Sequence, residues 1–242
     1  GVHADKAGFQ QAIGIYEQIL NANPDDFESR WLLNIAYMTV GGYPGKVPPK
    51  YLIKGLDSDS IDVVKPFTDM GMSTGLSTNN LSGGSIIEDF NNDGYLDLVT
   101  SSWSLTEGMH YNINNKDGTF TDVSTNSGLG ALNGGLNIMQ TDYNNDGLKD
   151  IFVLRGAWLQ EFGRQPNSLL KNNGDGTFTD VTAESGLLSF HPTATATWAD
   201  FNQDGWLDVF IGNETTSEKE FHPCELYINN GDGTFKNIAA EA

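Results

Sequence analysis

A nine-residue pattern, Asp-x-Asn-x-Asp-Gly-x-x-Asp, occurs three times in this chain. It reads Asp89-Phe-Asn-Asn-Asp-Gly-Tyr-Leu-Asp97, Asp142-Tyr-Asn-Asn-Asp-Gly-Leu-Lys-Asp150 and Asp200-Phe-Asn-Gln-Asp-Gly-Trp-Leu-Asp208. Oxygen donors at positions 1, 3, 5 and 9, with Gly at position 6 for a sharp turn, suit a hard cation such as calcium. Recurrence at intervals of 53 and 58 residues predicts one loop per structural repeat.

The ligand set expected in each loop is four side chains and one main-chain carbonyl. The side chains are Asp89, Asn91, Asp93 and Asp97, then Asp142, Asn144, Asp146 and Asp150, then Asp200, Asn202, Asp204 and Asp208. The carbonyls of Tyr95, Leu148 and Trp206 would add a fifth ligand. The loop starts like an EF-hand but does not end like one. The twelfth position holds Thr100, Val153 and Ile211 where an EF-hand has Glu, and the flanks have strand character. The bland alternative is an Asx-rich turn with no ion. Three intact copies favour about three Ca2+, one per loop, in a structural role.

A second motif keeps the same rhythm. Phe-Thr-Asp followed by a Ser/Thr-rich turn and Gly-Leu begins at Phe67, Phe120 and Phe178, and a weaker copy begins at Phe235. Each repeat holds four short apolar or alternating runs. In the second these are Leu136–Met139, Ile151–Leu154, Ser168–Leu170 and Thr177–Val181. The Asp loop separates the first two, and Asn172-Asn-Gly-Asp-Gly176 separates the last two. Asn-Gly and Asp-Gly supply the positive φ of tight hairpins. Four antiparallel strands per repeat predict a β-propeller blade. Thr193-Ala-Thr-Ala-Thr197 has the small side chains expected of an innermost strand.

Residues 1–42 carry helical periodicity, with Phe9, Ala12, Ile13, Tyr16, Ile19 and Leu20 on one stripe and Trp31, Leu32, Ile35, Ala36 and Met38 on another. A helical hairpin is expected, with a Gly- and Pro-rich linker over 43–66 and blades over 67–242. The fold class is therefore mainly β, a partial propeller of about three four-stranded blades behind a small helical hairpin. The hairpin resembles the tetratricopeptide repeat over little more than one unit.

The net charge of −19 argues against a nucleic-acid partner. No apolar run reaches the length of a membrane span, and no leader is visible. A single cysteine, Cys224, rules out an internal disulfide and is expected in a buried strand. His3, His110, His191 and His222 are scattered and read as surface or turn residues. Trp103 and Trp158 read as blade-packing aromatics that could alternatively stack on sugars.

The loops and the Asn-Gly-Asp-Gly-Thr-Phe turns (Asn173–Phe178, Asn230–Phe235) resemble the FG-GAP/VCBS family over residues 67–242. The resemblance implies a calcium-binding extracellular or periplasmic propeller, related to the integrin α-subunit head and to cartilage-acidic-protein-like secreted proteins. It implies adhesion or ligand binding, not catalysis. Three blades do not close a ring, so a protein partner, or further blades or chains, is expected over the open edges. A glycan is the second candidate ligand. A calcium-propeller polysaccharide lyase is the weakest candidate, because Arg155 and Arg164 are the only arginines in the repeats.

Overall fold

The helical periodicity becomes two helices, α1 (Ala7–Ala22) and α2 (Phe27–Val40). Asp26 caps α2 by accepting the Ser29 N–H at 3.0 Å, and Gly41, left-handed at φ 76°, ends it. The computed structural model describes residues 2, 6–57, 67–157, 159, 162–215 and 220–241. It divides into two compact units, Gly1–Phe67 and Thr68–Ala242.

In the first unit Leu20, Leu33 and Tyr51 form the core. The buried face of α2 is set by Leu33 and Ala36, and Trp31 is exposed, so the stripe expected to include Trp31 is rotated. The reason is Asn34. Its buried amide donates to the Tyr51 carbonyl at 2.9 Å, and its oxygen accepts the Ile53 N–H at 3.1 Å. Those bonds turn this face of α2 toward residues 43–57. That stretch, expected as linker, contributes Val47 and Tyr51 to the unit's interior. The rest of the expected linker, 58–66, lies outside the described residues.

Among its described residues the second unit contains three four-stranded antiparallel sheets, each a meander in chain order. The first is β1 (Ser82–Glu88), β2 (Asp97–Ser102), β3 (His110–Asn114) and β4 (Phe120–Asp122). The second is β5 (Asn137–Thr141), β6 (Asp150–Leu154), β7 (Ser168–Asn172) and β8 (Phe178–Asp180). The third is β9 (Thr193–Ala199), β10 (Asp208–Asn213), β11 (Glu225–Asn229) and β12 (Phe235–Asn237). First strands adjoin, with β1 against β5 and β5 against β9, and the Phe-led strands β4, β8 and β12 lie outermost. This is a propeller-like array of three blades that does not close.

Period-two alternation assigns each side chain to one joint. Ile151 and Val153 of β6 join Val99 and Ile86 of the first sheet in one core. Phe152 and Leu154 face the other way, into a second core with Val209 and Ile211 of the third sheet. The middle strand is therefore buried along its whole length. Phe67-Thr-Asp69 differs from its three sister motifs. It forms no strand, it leads into the short helix α3 (Gly71–Thr74), and Phe67 is 98% exposed.

Candidate metal centres

Each Asp-rich loop connects the first strand of a sheet to the second. Its turn needs two left-handed residues: Asn92, Asn145 or Gln203 at position 4, with φ 54°, 53° and 62°, and Gly94, Gly147 or Gly205 at position 6. Asn tolerates that region and Gly occupies it freely. In the first loop Asp89 accepts the Asp93 and Gly94 N–H groups at 2.9 and 2.8 Å, and Asp93 accepts the Tyr95 N–H at 2.9 Å. The third loop repeats this at 3.0, 2.9 and 2.9 Å with Asp200 and Asp204. Positions 1, 3 and 5 thus gather around one turn in both.

The ninth residue belongs to the following strand. Asp97, Asp150 and Asp208 are each fully buried, and each accepts a backbone N–H from the third strand, from Asn114, Asn172 and Asn229 at 2.9, 2.8 and 2.9 Å. The second oxygen of Asp97 takes the Tyr111 hydroxyl at 3.1 Å, and that of Asp208 takes the Phe201 N–H at 2.9 Å.

The second loop is different. Asp142 Oδ1 and Asp150 Oδ2 are buried, and among the described residues neither accepts a hydrogen bond of normal geometry, although the Tyr143 N–H faces the Asp150 carboxyl. Burial, together with the negative charges of Asp146 and Asp142, pushes the Asp150 carboxyl up to about 7 against the opposing N–H groups of Asn172 and Tyr143. Burial and the charges of Asp93 and Asp89 also raise Asp97. Buried carboxylates crowded by like charges favour a cation or a proton. Hard oxygen donors with two orphaned oxygens fit a hard cation. Among the described residues, no three Asp, Glu, His or Cys side chains are gathered so as to hold a metal ion. Half of the carboxylate oxygens are instead engaged by backbone N–H groups of their own loop.

The fifth-ligand residues have a second job. Trp206 lies over Gly231, and Leu148 lies over Gly174, in the turns between third and fourth strands. In the first sheet Lys116 takes the glycine's place with φ 68°, and its ammonium sits over the Tyr95 ring at 4.9 Å and 3.3 Å from Asp93.

Sequence reading missed the third-strand Asn residues. The Asn172 side-chain amide donates to the carbonyls of Phe90 and Lys149 at 2.8 and 3.1 Å, and Asn229 does the same to Tyr143 and Leu207 at 2.8 and 3.0 Å. The signal available was the recurrence of Asn ahead of each Asp-Gly-Thr-Phe turn.

Other expectations are corrected. Cys224 is exposed and precedes β11 instead of lying in a buried strand. His222 is not a surface residue; it is buried, with Nδ1 2.9 Å from His191 Nδ1. Trp103 is exposed just beyond β2, and Trp158 and His3 lie outside the described residues.

Fold and loops together define a class: a repeat protein of four-stranded, propeller-like blades, each with an acidic loop between its first two strands. The FG-GAP-like repeat profile matches residues 89–153 and 142–211, each match starting at the first Asp of a loop. The chain belongs to the FG-GAP-like repeat family. Cartilage acidic protein 1 of Xenopus tropicalis is 32% identical over 124 residues, which is 50% of this chain and 17% of that protein. The Homo sapiens protein of the same name is 30% identical over 123 residues, 49% of this chain and again 17% of its own length. An Agrocybe aegerita lectin that recognises non-reducing terminal N-acetylglucosamine aligns over 64% of this chain and 37% of its own, at 21% identity and a TM-score of 0.35. That score falls short of a shared fold. No helix among the described residues is long and apolar enough to cross a membrane.

Proposed function

We propose that this chain is a calcium-stabilised, non-catalytic module that serves protein–protein assembly or adhesion in an extracellular or periplasmic setting. The observation that carries the metal is the second loop, where two buried carboxylate oxygens accept no hydrogen bond of normal geometry among the described residues. Asp142, Asn144, Asp146 and Asp150, with the Leu148 carbonyl, would hold the ion there. Asp89, Asn91, Asp93 and Asp97 with the Tyr95 carbonyl, and Asp200, Asn202, Asp204 and Asp208 with the Trp206 carbonyl, would do so in the sister loops. Oxygens now satisfied by N–H groups would turn toward the cation.

The magnitude suits a structural role. Extracellular calcium modules bind at a Kd on the order of 10⁻⁴–10⁻³ M. Free ion at about 100 times Kd stabilises a fold by about 2.7 kcal/mol per site. Relatives named for cartilage support an extracellular setting. A non-catalytic role is supported by Arg155, whose guanidinium is engaged by the Asn133 and Pro166 carbonyls and the Ser168 hydroxyl. It is not free to hold a uronate. The exposed Trp103 favours glycan binding as the second reading, and a glycan array decides it.

The metal is tested by Asp150→Asn. Without cation the substitution removes a buried, crowded charge and raises the melting temperature. In millimolar calcium it removes a ligand and lowers it. The same sign in both conditions contradicts a metal role.

A further inference from the structure

Hydrogen bonds join the three Asp-rich loops to one another. Asn172 of β7 links the first to the second. Its side-chain amide donates to the carbonyl of Phe90, position 2 of the first loop, at 2.8 Å, and to that of Lys149, position 8 of the second, at 3.1 Å. Its backbone N–H donates to Asp150, position 9 of the second loop, at 2.8 Å. Asn229 of β11 repeats the arrangement one sheet on. It reaches Tyr143 of the second loop at 2.8 Å, and Leu207 and Asp208 of the third at 3.0 and 2.9 Å. The second and third loops also touch directly: the Asn145 side chain, at position 4, donates to the Gly205 carbonyl, at position 6, at 3.1 Å.

Asn172 and Asn229 are both buried, so bulk water does not compete for their bonds. Their side-chain oxygens are committed as well, to the Gly174 and Gly231 N–H groups at 2.9 Å each. Each amide is thus held from several sides and cannot shift in one loop without shifting in the other. The position-2 rings fix the same carbonyls: Phe90 packs on Phe178 and Tyr143 on Phe235, each at 6.1 Å between ring centres. Position 2 lies between the expected ligands at 1 and 3, and position 8 adjoins the one at 9. An ordered loop therefore places the acceptor that positions the last carboxylate of the next loop.

We propose that Asn172, Asn229 and Asn145 are positioning residues that couple the loops, so that a cation held in one strengthens binding in the next. The inference rests on the calcium reading above. Three carboxylates in a bare loop repel one another and loosen it. A loop that has been ordered hands a fixed carbonyl to its neighbour, whose own ordering then costs less. By linkage the effect is reciprocal. Charge works in the opposite sense, because a filled loop is less negative and attracts its neighbour's ion less. Exposed charges are screened beyond about 8 Å at physiological salt, whereas the hydrogen bonds act in contact. The coupling is therefore positive under those conditions.

Terbium luminescence on the full chain, at physiological salt, tests it. Trp206 lies in the third loop, where the other two have Tyr95 and Leu148, so tryptophan excitation sensitises an ion there, and Trp206→Phe identifies that signal. Displacement by calcium then reports the third loop's affinity. Disabling the second loop with Asp146→Ala is expected to weaken the third by about five-fold or more. That weakening shrinks in Asn145→Gly, which removes the amide at an exposed position and keeps its left-handed turn, and it vanishes when Asn229→Ala is added. A merely structural role for these residues would lower the melting temperature and leave the ratio intact. If Asn229→Ala does not fold, Asn145→Gly decides. A third loop unmoved by Asp146→Ala overturns the coupling and keeps the calcium sites. A weakening undiminished in the asparagine variants overturns their role. A chain that takes up no calcium in equilibrium dialysis removes the calcium reading and this inference with it.

Discussion

At the residue scale, a single amide ties together loop, strand and neighbouring sheet. Asn172 donates to a carbonyl in the preceding sheet and to one in its own loop, and its oxygen accepts the Gly174 N–H at 2.9 Å. Truncating it leaves the buried Phe90 carbonyl unpaired, and an unsatisfied buried group costs about 1–3 kcal/mol. Asn172→Ala is therefore expected to lose about that much stability in urea unfolding. Asn114→Ala breaks the same contacts within its sheet but none to a position-2 carbonyl, so it should lose measurably less. Equal losses would mean that the contact between sheets contributes nothing. The sequence made the Asp-rich loops legible, because the same spacing recurs in each repeat. The Asn residues were hidden because Asn before Asp-Gly already has a local explanation as turn chemistry. The role of His222 was equally invisible, since its partner His191 is distant in sequence and no local pattern announces the pair.

At the element scale, strands were legible wherever alternation and turn residues agreed. The run Ile151–Leu154 is the interior of β6, and Thr193–Thr197 lies within β9. The fourth run, Thr177–Val181, shortened to Phe178–Asp180; at Val181 the N–H still bonds the Leu169 carbonyl, but the Leu169 N–H goes to the Thr182 hydroxyl at 2.8 Å, and the pairing ends. In α2 the periodicity was correct and the phase was not, because the polar Asn34 faces inward to pin residues 51–53. Hydrophobic pattern does not find a buried polar anchor. The innermost strands obey a tighter rule. A methyl group on Gly84 of β1 would come within 2.5 Å of the Ile138 nitrogen on β5. Overpacking of that kind costs about 1–3 kcal/mol, so Gly84→Ala should lower the denaturation midpoint. Gly14 in α1 has open space around it, and Gly14→Ala should gain about 0.5–1 kcal/mol. A neutral Gly84→Ala would mean that β1 and β5 are less closely apposed than described.

At the scale of the whole molecule, the repeat period carried most of the architecture. One loop and one Phe-led outer strand per period were enough to expect three blades, and three four-stranded sheets are found. The period could not reveal how the blades join, because each joint is made by residues of two different repeats. Nor did it mark the second loop as the one with orphaned oxygens, since the three loops are nearly identical in sequence and differ in their buried surroundings. The proposal that these loops are structural calcium sites can be measured. It is tested most directly by thermal melts of the purified chain in EDTA, in millimolar Mg2+ and in millimolar Ca2+. Structural calcium sites would give a rise of many degrees that is specific to calcium and absent from the Asp93/Asp146/Asp204→Ala triple variant. Identical melts in EDTA and calcium would contradict it and leave the loops as plain Asx turns.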